Sequence, residues 1–272
     1  MLAYMPKIYP DELIFSWLSR WIGHCGCSVI TRYRAMSTEF AVKFDKDIKA
    51  ALCSQYGDID AFLWKHTMIP YYIRYMDAYA RRVALSRLEH SGKIDIADYM
   101  LLNHATIRRI RYCPKCAIED RMMYGETYYH RCHQLWDVSM CVKHGCKLVP
   151  TYINLGSARL NPPDITIPNE TAIDASCNKI QVSYSKHVVA AFRATDIDTD
   201  VDYVESLHRL SAKYTLWTSH LIDYERIAQD LHAFYAECDV CIPDAQFVQY
   251  VVDVTRIDTR IILLLLFMQQ AR

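Results

Sequence analysis

Two pairs of metal-donor residues, Cys113 with Cys116 and Cys141 with His144, constrain this chain more than any other feature. They stand as Cys-Pro-Lys-Cys, then twenty-four residues, then Cys-Val-Lys-His. Two thiolates two residues apart grip one cation from a tight turn, and a second such pair completes a tetrahedron. Zinc favours this Cys3His set, which is closed and leaves no open position, so the expected site is structural and not catalytic. Metal binding there supplies folding energy to a segment that buries too little apolar surface alone. The competing reading is a set of unrelated buried thiols, since cysteine is among the most buried residue types.

At 272 residues the chain is long enough for roughly two domains, each with a real core. With 52% hydrophobic and 23% charged residues it is an ordinary globular composition, which excludes wholesale disorder. Only 7 glycines occur and neither GxGxxG nor GxxxxGK[ST] is present, so a bound dinucleotide or NTP has no support. The 11 cysteines are an odd number grouped in CxxC and CxxH spacings, the mark of metal chemistry in a reducing compartment. The opening residues 1–13 carry Lys7, Asp11, Glu12 and two prolines, unlike a signal peptide. The apolar run 261–268 is about half the length of a membrane span and reads as a buried helix. A cytoplasmic protein without membrane contact is expected.

Lysine and arginine total 31 against 31 acidic residues, but the balance is uneven. Residues 1–150 hold 21 basic and 15 acidic residues, whereas 151–272 hold 10 and 16. The N-terminal half is therefore the part suited to approach phosphate. Arg32, Arg34, Arg81, Arg82, Arg108, Arg109 and Arg111 are its candidate contacts, densest just before the first cysteine pair. The alternative is that these arginines form solvated faces or brace the metal module.

The pattern along the chain is mostly helical. Residues 11–24 place Leu13, Trp17 and Trp21 on one stripe, which predicts a first helix buried on most of its circumference. Gly26 breaks it, and two helices around that glycine can form a helix-turn-helix. One or two short helices are expected over 46–65 with Asp58 as a cap, and a longer one from Asp77 to about Glu89. Residues 111–150 form the metal module, with a helix expected in TYYHRCHQLW between the two donor pairs. The segment 154–178 is rich in Asn, Pro, Asp and Ser and reads as a linker or irregular excursion. Helical periodicity resumes at Val201 and continues to the apolar run. The organisation expected is an N-terminal helical domain over 1–110, the zinc module over 111–150, an irregular segment over 151–200 and a helical domain over 201–272.

Three stretches carry a resemblance to the TniQ/TnsD family of target-selection proteins of Tn7-like transposons. They are YPDELIFSWLSRW at 9–21, KHTMIPYYIRYM at 65–76, and RYCPKCAIEDRMMYGETYYHRCHQLWDVSMCVKHGCKLV at 111–149. In the third, Cys-Pro-x-Cys, Asp120, Tyr124-Gly125-Glu126, Tyr128, His133-Gln134 and Cys-x-x-His-Gly keep the family's spacing. The resemblance implies a non-enzymatic adaptor with helix-turn-helix elements and a zinc finger. It implies that the chain binds target DNA or docks on an RNA-guided Cascade complex, and contacts an AAA+ ATPase. Self-association is a further implication, as is continuation into a longer protein, because TnsD-like members exceed this length. A pure protein adaptor without DNA contact is the alternative within the class.

Other groups take structural readings. Cys132 and Cys146 lie near the donors, and His133 is expected to orient the module, not to bind metal. Nucleophilic catalysis by Cys132 with His133 is disfavoured, because adjacent residues point apart and no third group orients them. A second zinc at Cys238 and Cys241 is not expected, since a full donor set is lacking; nor is a zinc hydrolase, which needs an exchangeable water.

Overall fold

The computed structural model describes residues 4–25, 46–91, 109–154, 161–176, 178–194 and 201–271. Among them the chain forms twelve helices and one two-stranded sheet. The first helix, α1 (Ile14–Cys25), begins three residues later than its apolar stripe predicts. The reason is tertiary: Leu13 N donates to Tyr129 O at 2.9 Å, Arg131 N to Asp11 O at 2.8 Å, and Glu12 bridges His130. Asp11 adopts φ 56° to make that turn.

Helices α2 (Lys46–Tyr56) and α3 (Ile59–His66) follow, the second with the Asp58 carboxylate near the Ala61 amide at 3.4 Å. A short helix α4 (Ile69–Tyr72) carries Pro70 in its first turn, where a missing N–H costs nothing. Asp77 caps α5 (Ala78–Ser91), accepting from Ala80 N at 2.8 Å. The expected helix-turn-helix around Gly26 falls on residues outside the described ones.

Strand β1 (Arg109–Tyr112) runs antiparallel to β2 (Val149–Asn154) and brackets the metal module. Between them lies α6 (Pro114–Tyr124), ended by Gly125 at φ 81°. The helix expected in TYYHRCHQLW is not formed: only a 3-10 turn, Arg131–Gln134, is present. Amides 129 and 131 are drawn to Ser16 Oγ and Asp11 O, so an internal helical ladder is forgone.

Segment 161–176 is irregular apart from α7 (Pro163–Thr166). Arg121 of α6 ties it down through Asp164 Oδ1 at 2.7 Å and the carbonyl of Ile167 at 2.7 Å. Helices α8 (Lys179–Arg193), α9 (Val201–Lys213), α10 (Tyr224–Phe234), α11 (Ala245–Val252) and α12 (Thr259–Ala271) complete the fold.

Two apolar clusters hold these elements. The smaller joins Ile14, Trp17, Leu18 and Trp21 to Leu52 and Phe62. The larger runs from Leu13 through the 68–76 segment and the metal module to α8–α12. Residues 261–266 are buried on every side of α12, which explains an apolar run with no polar face. Among the described residues no helix is long and apolar enough to cross a membrane.

Candidate metal centre

Cys113 occupies the N-cap of α6 in extended geometry, and its Sγ accepts from Cys116 N at 3.4 Å. Pro114 at the first helical position has its φ preset for the turn. Two sulfurs thereby converge at the positive end of a helix, where negative charge is favoured. The second pair sits on a tight turn closed by Gly145 N to Cys141 O and Cys141 N to Cys146 O, both 2.8 Å. Gly145 takes φ 61°, a left-handed conformation that suits glycine, which is why the second pair ends in His-Gly.

The turns bring together the four donors read from spacing. Sγ atoms of Cys113, Cys116 and Cys141 lie 3.4, 3.3 and 3.7 Å from His144 Nδ1. Cys116 Sγ and Cys141 Sγ are 3.7 Å apart, and all four donor atoms fall within 4.8 Å of one another. Bonds of about 2.3 Å to sulfur and about 2.0 Å to nitrogen give tetrahedral edges of roughly 3.8 Å and 3.5 Å. The four edges given above are of that size. The donor set therefore fits one tetrahedral metal ion with no position left for water.

The shell behind these donors is built as well. His144 turns Nδ1 toward the sulfurs and places Nε2 3.0 Å from Glu119 Oε1, a carboxylate that fixes the ring and its tautomer. Lys143 and His144 hold the Glu119 carboxyl below its ordinary value. His133 is buried with Nε2 3.9 Å from Cys116 Sγ, and burial pushes its pKa down. Gln134 clamps the entry strand, accepting from Arg111 N at 2.9 Å and donating to Arg111 O at 2.7 Å. Cys146 Sγ lies 3.4 Å from Cys113 Sγ but outside the mutual cluster, and Cys132 is buried against the same core.

A second buried constellation joins this module to α1. Arg20, with a side chain 1% exposed, grips Glu12 through Nε to Oε1 and Nη2 to Oε2, both 2.8 Å. Its Nη1 donates to Glu126 Oε1 at 2.6 Å, and Tyr9 lies beneath the guanidinium at 3.9 Å. Ser16 Oγ donates to Glu12 Oε1 and accepts from Tyr129 N. Burial opposes the Arg20 charge, but Glu12 and Glu126 outweigh it and hold its pKa above the ordinary value. Sequence reading did not identify this network. Its signal was a glutamate and an arginine eight residues apart beside the otherwise apolar α1 stripe.

A model of the TniQ family matches residues 3–148, more than half of the chain. The chain belongs to the TniQ family. It is also similar to the Transposon Tn7 transposition protein TnsD of Escherichia coli, at 28% identity over 92 residues. That alignment covers 32% of this chain and 18% of TnsD, so the chain matches less than a fifth of that relative's length. In this TniQ-family chain the matched region contains both the metal donors and the Glu12–Arg20–Glu126 network.

The described arginine candidates differ in exposure. Arg82 and Arg109 are exposed and Arg81 is half-buried. Arg111 directs its guanidinium inward, to Val138 O at 2.9 Å and Leu135 O at 2.7 Å, which is the bracing role. Arg32, Arg34 and Arg108 lie outside the described residues. Cys238 is half-buried and Cys241 exposed after α10, with Cys241 N donating to Asp137 Oδ1 at 3.3 Å.

Proposed function

We propose that this TniQ-family chain selects the insertion site in Tn7-like transposition. It engages target DNA or an RNA-guided Cascade complex and recruits the AAA+ ATPase of the transposition machinery. The observation that carries this reading is the family match across 3–148; the likeness to a Tn7 transposition protein supports it. The chain acts as an adaptor, and three thiolates and an imidazole filling a tetrahedron leave that metal no open position for catalysis. The ion is zinc, held by Cys113, Cys116, Cys141 and His144, and its role is to lock the module that carries the interface.

Arg81, Arg82 and Arg109 are the described residues proposed to contact phosphate, together with Arg32, Arg34 and Arg108. Such contacts position a duplex without reading its sequence. Gel shifts with random duplex at low salt test this directly. Retention is expected to fall with salt, and the Arg82→Ala/Arg109→Ala double variant should flatten the salt slope by about two. An unchanged slope removes both residues from the interface. The inward guanidinium of Arg111 favours a second reading, a protein adaptor that never touches DNA. Negligible retention of duplex alongside retained binding to the ATPase would select it.

A further inference from the structure

We propose that a groove between the 75–77 turn, the start of α9 and the 254–257 turn binds a basic, apolar-flanked segment of a partner protein. The cavity measures 640 Å3, within the roughly 300–1,000 Å3 range of ligand sites. It is lined by a pair of tyrosine rings, Tyr75 and Tyr203, with centroids 4.9 Å apart at 58°. The Tyr203 hydroxyl donates to the Tyr75 carbonyl at 3.1 Å, which fixes the pair across the seam. Val204 and Val254 supply apolar walls.

The rim decides the occupant. Asp77 and Glu205 both line the groove and both are exposed. Two carboxylates on the rim favour a cation and repel phosphate even with His208 also lining the groove and Arg74 5.8 Å from the Tyr75 ring, so a nucleic-acid backbone is unsuited to it. The surrounding segment agrees: residues 201–257 carry nine acidic against four basic residues. A lone amine or guanidinium would leave the valine walls uncovered. A peptide bearing an arginine or lysine between apolar side chains covers both.

Val254 is a second, independent pointer. It takes φ 53°, a region a β-branched side chain rarely enters. The turn is pinned by Thr255 and Arg256 amides, which share the Tyr250 carbonyl at 3.0 and 3.1 Å. Strain of this kind persists where the surroundings enforce it and concentrates at ligand clamps. Here it holds an apolar side chain, 38% exposed, at the edge of the groove.

The test is fluorescence anisotropy on the zinc-loaded full chain with a labelled peptide alternating arginine and leucine. Two control peptides carry glutamate for arginine or serine for leucine. The Arg-Leu peptide is expected to bind at least about tenfold more tightly than either control. The Asp77→Asn/Glu205→Gln variant should weaken it by roughly tenfold, with asparagine retaining the α5 cap. Val204→Lys, which places a fixed cation in the groove, should abolish binding. Circular dichroism melting verifies that the variants fold. Absence of binding, equal binding of the arginine and glutamate peptides, or wild-type affinity in the charge variant overturns the proposal. None of these outcomes depends on whether the chain binds DNA.

Discussion

Glu119 is an exposed carboxylate placed behind one of the four candidate metal donors. It touches no donor sulfur, yet it receives His144 Nε2 at 3.0 Å and so aims Nδ1 at the three thiols. Its removal in Glu119→Ala should weaken metal binding about 10- to 100-fold in competition with a chromogenic chelator. Unaltered affinity would mean that the ring is oriented by packing alone. His66 carries the corresponding pH argument. Its Nδ1 lies 2.9 Å from the Glu12 carbonyl, which only accepts, so Nδ1 carries a proton, while burial disfavours a second proton on Nε2. Burial pushes its pKa down to about 4 from an ordinary 6.5. Between those values the unfolded chain holds a proton that the folded chain lacks, so stability falls as pH drops from 6.5 towards 4. The loss approaches an order of 3 kcal/mol once the window is crossed. Urea midpoints should decline through this window in the wild type and decline less in His66→Gln. Asp11 acts at more acid pH: Arg131 and the Cys132 amide outweigh its burial and hold its carboxyl below the ordinary value. Its contribution is lost only as pH falls through that lowered pKa.

Among elements, α1 packs at Gly23 against Pro162, the residue that leads into α7. A Cβ on Gly23 would stand 2.8 Å from Pro162 Cγ, inside any normal contact, and a proline ring yields little. In an open helix, alanine for glycine gains up to about 1 kcal/mol. Overpacking costs about 1–3 kcal/mol, so Gly23→Ala should lower stability by roughly 1 kcal/mol net. A melting temperature equal to or above wild type would show that α7 moves aside freely. Element legibility followed the same division between local and distant causes. Helix α5 was readable because Asp77 caps it, a local signal. The 127–136 stretch was misread because its aromatic spacing resembles a helix while its amides bond to residues 11–16. Strands β1 and β2 are short and are separated by the whole metal module, so neither carries a local hairpin signal.

At the scale of the whole molecule, the metal donors and α12 share one core. Cys113, Cys116 and Cys141 belong to the same buried cluster as Ile261 and Leu264. Trp136 Nε1 donates to Tyr72 Oη at 2.8 Å, and its ring lies 5.3 Å from the Arg260 guanidinium of α12. Chelation of the metal should therefore reduce amide-exchange protection in α12 as well as in the module. Exchange confined to residues 109–154 would show that the core transmits nothing.

The sequence by itself determined which four residues could hold a metal, because the two donors of each pair share a turn through local spacing alone. It also determined the helical character of 46–91 and 201–271, since periodicity and caps are local, but not α8, which lies in a segment expected to be irregular. Tertiary structure alone decided that Glu12, Arg20 and Glu126 form one buried ion cluster and that Arg111 turns inward. It also decided that Tyr75 meets Tyr203 across 128 residues of chain. Those pairings depend on how distant segments pack, and residue spacing carries no record of that.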